Sequence, residues 1–159
     1  MIPQELVGFL ESGVSVLVGT RDARLAPDAT RAVGARLADD GGELMVFLPA
    51  ATCATALANV GDNGRIAVCF SRAFDHRAVQ VKGRAIEVRL AREQERALVD
   101  RYRAALSEEL GHVGVPPRAT LRWAHWPCHV VRLRVEGVFV QTPGPGAGAP
   151  LEGGGGDAR

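Results

Sequence analysis

Two stretches of the 159-residue chain concentrate side chains able to do chemistry. RWAHWPCHV, Arg122 to Val130, holds Trp123, His125, Trp126, Cys128 and His129. Imidazole and thiolate are metal and haem ligands, so this cluster invites a metal or haem reading. Pro127 argues against His125 and His129 sharing one helix face, and no neighbouring carboxylate stands ready to orient either ring. The stretch reads better as aromatic packing, and no metal site is assigned.

The second stretch, FSRAFDHRAVQVKGRAIEV from Phe70 to Val88, contains the only lysine of a chain with 18 arginines. From Arg77 onward the side chains alternate, with Val79 and Val81 on one face and Ala78, Gln80 and Lys82 on the other. Gly83 interrupts the run before Ala85, Ile86 and Val88 resume it, the pattern of a bulge or bend in a curved sheet. The strand lines a cleft if Gln80 faces inward, with Lys82 at the rim. Otherwise both are solvated residues of an outer face. His76, in the turn FDHR, reads as an exposed polar residue, and the preference for Arg over Lys as a coding bias.

These residues need a scaffold. Gln4 to Glu11 fits a short amphipathic helix ending near Gly13. Strands are expected over Ser15–Asp22, Ala29–Asp39 with a bend at Gly34, Glu43–Ala50, Gly64–Ser71, the long bent run just described, and His129–Thr142. Between the third and fourth, TCATALANVGDN has helical spacing, with Thr52 placed to cap it and Gly61 to end it. Ala91 to Leu110 carries Leu98, Tyr102, Ala105 and Leu106 as the apolar stripe of a longer surface helix. Six antiparallel strands with bends at Gly34 and Gly83 favour a mainly β, six-stranded split barrel with short decorating helices. Residues 1–142 form the domain. The Gly/Pro-rich stretch 143–159 cannot offset its ordering entropy by burial and is expected to be a flexible tail.

Composition narrows the function. A net charge of +1 with acids and bases intermixed gives no long-range field that would recommend nucleic acid or an anionic membrane as partner. Cys53, Cys69 and Cys128 are odd in number and lack the spacing of a disulfide framework or zinc knuckle. The N-terminus MIPQELVGFLESG has Glu5 and Glu11 in its apolar run and no basic leader, and no window is long enough for a membrane span. A cytoplasmic protein is expected.

The order of elements and the run ATRAVGARLADDGGELMVFLPAATCATALANVGDNGRIAVCFSRAFDHRAVQVKGRA resemble the pyridoxamine 5′-phosphate oxidase-like, FMN-binding split-barrel family over roughly Glu5 to Thr142. The resemblance implies a homodimer with FMN in each of two clefts between subunits. It implies that Arg31, with Ala32 and Val33 after it, meets the FMN phosphate, and that Arg36 supplies a second basic group. Phe47 and Leu48 match the third-strand positions beside the flavin, and Thr52 matches a phosphate-holding Ser or Thr. Gln80 belongs to the cleft if it faces inward, and Trp126 is placed to wall the partner's flavin. The family's usual Arg-Lys pair after that Ser or Thr is here Cys53-Ala54. At about 1.5–3 kcal/mol per charged contact, their loss weakens FMN by a few powers of ten unless Arg36 or a partner-chain arginine compensates.

The chemistry at these positions is coherent. A helix N-terminus offers unpaired N–H groups to an anion, and an arginine adds a bidentate grip. Each residue also has a simpler reading: Arg31 as a snorkelling surface side chain, Thr52 as a plain helix cap, Phe47 as core. The leading expectation is an FMN-dependent oxidoreductase or flavin reductase acting on an unidentified small substrate. The groups that bind pyridoxamine phosphate in true oxidases are not recognisable. The alternative is a non-catalytic split-barrel dimer that binds a small ligand, or deazaflavin or haem, without FMN redox chemistry.

Overall fold

The structure is a computed structural model and describes residues 1–151. A turn of 3₁₀ helix (Gln4–Leu6) leads into α1 (Val7–Leu10). The remaining order is β1 (Ser15–Arg21), β2 (Pro27–Arg31), β3 (Ala35–Leu37), β4 (Glu43–Pro49), α2 (Ala54–Asn63), β5 (Arg65–Ser71), β6 (Ala78–Leu90), α3 (Arg96–Gly111), α4 (Pro117–Thr120) and β7 (Cys128–Val140). One antiparallel sheet runs β2-β1-β5-β6-β7-β4-β3.

The sheet's two edge strands are consecutive in sequence, and that closes the barrel. Ala32 N–H donates to Val16 O at 2.9 Å on the β1 side. Val33 N–H then donates to Phe47 O at 2.8 Å, and Phe47 N–H to Gly34 O at 3.0 Å, on the β4 side. The expected second strand, 29–39, is thus two strands, and the sheet has seven rather than six. α3 packs against the bend at Gly34: a Cβ there would fall 2.9 Å from Leu98 Cδ2.

Inward-facing residues of every strand fill the barrel, among them Val18, Leu44, Val46, Leu48, Val68, Phe70, Val81 and Leu133, each at most 1% exposed. At roughly 1.5–3 kcal/mol per large apolar side chain, this core is the main source of stability. The expected irregularity at Gly83 is real: the β6–β7 register shifts between Lys82 and Gly83, and a Cβ there would run into the Arg134 carbonyl. Val79 and Val81 face the core, as the alternation requires.

Two helices cover what the sheet leaves open. α2 sits against β1, with Asn59 Nδ2 donating to Thr20 Oγ1 at 3.1 Å. α3 buries Val99, Tyr102 and Leu106, and the Tyr102 hydroxyl donates to Val14 O at 2.7 Å. The stripe is close to the expected one, although the helix starts at Arg96 because β6 runs on to Leu90. The tail also differs from expectation in its first part. Residues 143–151 double back on β7: Leu151 N–H donates to Val138 O at 2.8 Å and Gly148 N–H to Val140 O at 2.7 Å, and Leu151 packs against the core. Backbone groups at the end of β7 give this segment hydrogen-bond partners that composition does not reveal. The rest of the tail, 152–159, lies outside the described residues.

Candidate functional site

The outer sheet face carries a continuous row of side chains. Arg31 on β2 stands opposite Leu17 on β1, and Leu17 opposite Cys69 on β5. Cys69 in turn faces Gln80 on β6, and Gln80 faces Phe139 on β7. Directly opposed residues share a face, so one strip crosses five strands with a guanidinium at one end, an aliphatic and a thiol in the middle and an amide beyond. Leu17 is 44% exposed there, although its strand neighbours Val16 and Val18 are fully buried. Gln80 and Cys69 are half-buried. With neighbouring strands about 4.8 Å apart, Arg31 and Gln80 are separated by about 14 Å.

Arg31 is held at the end of this strip. Its Nη1 donates to Ser15 Oγ at 2.8 Å, and its Cζ lies 4.8 Å from the centroid of the Trp123 ring. None of the ion pairs among the described residues includes Arg31. A half-buried guanidinium partnered by a hydroxyl and an indole keeps donors for an incoming anion.

The other expected site residues lie elsewhere. Ala32, Val33, Phe47 and Leu48 are buried at the barrel seam, between none and 4% exposed. Their side chains belong to the packing of β2, β3 and β4. Arg36 is exposed and borders a cavity with Glu11, Leu98, Arg101 and Tyr102. Trp126 is partly buried against its own subunit's core, with Arg96 over its ring at 5.7 Å.

Thr52 is not the cap of α2. The helix begins at Ala54 with Cys53 at the cap position and no side-chain cap bond. The Thr52 hydroxyl turns back to Pro49 O at 3.5 Å, and the Thr30 hydroxyl donates to Thr52 O at 3.2 Å. Thr30 pairs with buried Val18 and Arg31 with exposed Leu17, so the contact to Thr52 and the Arg31 guanidinium leave β2 on opposite faces. The first-turn amides of α2 have no intrahelical acceptor, yet in this conformation Arg31 is directed away from them.

The stretch Arg122–Val130 packs against this loop. Ala50 N–H donates to Pro127 O at 2.9 Å, Cys53 Sγ lies 3.7 Å from His129 Nδ1, and the Cys128 thiol donates to His125 O at 2.6 Å. Burial pushes the Cys128 thiol up to about 12, helped by nearby Cys53, and burial likewise raises Cys53. Both are protonated packing groups near neutral pH. Among the described residues no group of three or more His, Cys, Asp or Glu side chains is placed to hold a metal, and no helix is long and apolar enough to cross a membrane.

Arg31 and Gln80 are residues that the sequence singles out, but Gln80 faces outward with Lys82, opposite the buried Val79 and Val81, and not inward as its expected cleft role required. The residues that complete their surroundings were missed. Leu17 looks like any strand aliphatic, and Trp123 meets Arg31 only through the tertiary fold. No protein-family model matches the chain, nor does any curated protein. Solved structures do. The HupZ protein of group A Streptococcus is similar over 94% of this chain and 99% of its own, at 22% identity and a TM-score of 0.58. A candidate pyridoxamine 5′-phosphate oxidase from Lactobacillus delbrueckii is similar over 87% and 93%, at 19% identity and a TM-score of 0.55. An FMN-binding protein from Syntrophomonas wolfei is similar over 86% of each chain, at 11% identity and a TM-score of 0.53. At these identities the likeness establishes architecture: the chain has the split-barrel fold of the pyridoxamine 5′-phosphate oxidase-like proteins.

Proposed function

We propose that the protein binds FMN against the outer barrel face, between two copies of the chain, and serves as a flavin-dependent oxidoreductase or flavin reductase for a small substrate. The observation that carries this reading is the strip from Arg31 through Leu17 and Cys69 to Gln80. It sits on a fold shared with an FMN-binding protein. The donor set suits the ligand. Arg31 offers a bidentate grip to a phosphate dianion, Gln80 an amide to the polar edge of a planar ring, and Leu17 and Cys69 an apolar floor. The first-turn amides of α2 and Thr52 provide a second anion seat, which Arg31 of the same chain does not reach in this conformation.

Bound flavin supplies the hydride or electron transfer. The chain's own residues position it: Arg31 fixes the phosphate end, Gln80 sets the ring's orientation, and a second copy over Leu17 excludes water. Exposed aliphatics on the sheet, Leu17 on β1 and Ile86, Val88 and Leu90 on β6, favour such a cover. Cys53-Ala54 at the start of α2 favours the alternative, a dimeric barrel without FMN redox chemistry, because that seat has no cation of its own. The visible spectrum of the purified protein, taken with its mass by light scattering, tests the choice. Flavin bands on a particle of twice the chain mass support the proposal. A colourless protein that takes up no added FMN refutes it, and deazaflavin or haem bands would reassign the ligand.

A further inference from the structure

Strand register gathers cations that the sequence scatters. Arg65 on β5 stands directly opposite Arg84 on β6, and Arg84 directly opposite Arg134 on β7. Gly19 and Ala67 are opposed. Arg21 lies two residues beyond Gly19 and Arg65 two before Ala67 on the antiparallel neighbour, so Arg21 comes alongside Arg65. Lys82 faces the same way. With Arg21 and Arg65 it lines a cavity of about 480 Å³ whose floor includes Gly19, Ala67 and Gly83, and one carboxylate, Glu136, stands at its wall. The chain's only lysine and four arginines therefore share one face of four adjacent strands.

These charges are mostly unneutralised. Among the ion pairs of the described residues, only Arg84 has a partner here, Glu136 at 3.7 Å, with both side chains 50% exposed. Asp62 lies at the edge, within 3.3 Å of Asn63 Nδ2. Like charges opposed on neighbouring strands work against folding, and Asn63 joins the strands that carry three of them. Asn63 Nδ2 donates to Arg21 O at 2.8 Å, Asn63 Oδ1 accepts from Arg65 N–H at 3.0 Å, and Asn63 O accepts from Arg84 Nη1 at 3.2 Å. One residue thus ties the backbones of β1 and β5 together and holds the Arg84 guanidinium beside them.

We infer that this face binds a small polyphosphate, a ligand carrying two or more adjacent phosphate groups. Three features set the class. The floor is nearly free of side chains, so an anion can approach the sheet between cations on either side. Two strand spacings, about 10 Å, separate Gly19 from Lys82, a span that suits adjoining phosphates better than a polymer. The net charge of +1 lacks the excess that a nucleic-acid surface carries. The inference is independent of the flavin reading.

Calorimetric titration of the full chain with inorganic pyrophosphate at 0.15 M salt tests it. Pyrophosphate is expected to bind more tightly than orthophosphate. Arg65→Gln and Lys82→Gln should each weaken it about tenfold, and Arg118→Gln, exposed on α4, should leave it unchanged. Arg65→Gln should also raise the melting temperature of the ligand-free protein by about 1–3 °C by relieving the repulsion from Arg84, which shows that the variant is folded. Unchanged pyrophosphate affinity in both variants overturns the proposal. So does tighter binding of a single-stranded oligonucleotide than of pyrophosphate in the same buffer. A matching loss of FMN affinity in Arg65→Gln would assign the strip to the flavin and equally overturn a separate site.

Discussion

The Arg31 guanidinium lies 4.8 Å from the centroid of the Trp123 ring while it donates to Ser15 Oγ at 2.8 Å. A loop residue 92 positions away in sequence therefore helps decide where the end of β2 directs its charge. Trp123 and Arg31 form a positioning pair, and the first prediction follows from their division of labour. Trp123→Leu removes the ring but leaves the cation, so FMN affinity should fall by less than it does in Arg31→Ala. A cation–π contact of about 0.5–1 kcal/mol implies a loss of about two- to fivefold. Fluorescence titration of both variants with FMN makes the comparison.

Leu17 tests the dimer. It is exposed on the sheet, as are Ile86, Val88 and Leu90 on β6, and the flavin reading requires a second chain over it. Leu17→Glu places a charge where that chain would sit, so light scattering at micromolar concentration should fall from twice the chain mass towards the single-chain mass, with the far-ultraviolet circular dichroism unchanged.

Gly83 and Gly19 differ in what surrounds them. A Cβ on Gly83 meets the Arg134 carbonyl and comes within 2.9 Å of Leu133 Cδ1, whereas one on Gly19 finds nothing nearer than Ala67 O at 4.0 Å. Gly83→Ala should cost about 1–3 kcal/mol, seen as a melting temperature lower by about 3–10 °C. Gly19→Ala should melt within a degree or two of the parent.

Arg89 holds Glu95 through two hydrogen bonds of 2.7 Å, and Glu95 also accepts from Arg92 N–H at 2.7 Å. These bonds, the Arg89 pair first, keep the Glu95 carboxyl below its ordinary value of 4.5. The unfolded chain therefore takes up this proton at higher pH than the folded one. The stabilisation is complete above pH 4.5 and is lost as pH falls through the folded-state value. Glu95→Gln should lower the melting temperature at pH 7 and lose that difference in acid, as thermal melts across the range would record.

Much of the barrel was legible because its punctuation is local. The bends at Gly34 and Gly83, the alternation around Val79 and Val81, and the stripe on α3 each follow from a few neighbouring residues. What could not be read depends on register between distant strands. Nothing in the sequence places Leu17 beside both Arg31 and Cys69, or brings Arg21, Arg65 and Lys82 around one cavity. The capping role expected of Thr52 failed for a related reason: its hydroxyl turns towards Pro49 and Thr30, and Thr30 reaches it only because β2 crosses the end of β4. The fold of residues 143–151 likewise depends on free backbone groups at the end of β7, which composition does not show.

Whether the strip ending at Arg31 holds a phosphorylated flavin is decided by parallel titrations with FMN and riboflavin. The two ligands share a ring and differ in the phosphate. FMN should bind the unmodified protein roughly 30- to 1,000-fold more tightly, equivalent to about 2–4 kcal/mol from the phosphate. Arg31→Ala should remove most of that preference and leave riboflavin affinity nearly unchanged. Equal affinity for FMN and riboflavin in the unmodified protein would contradict the flavin reading.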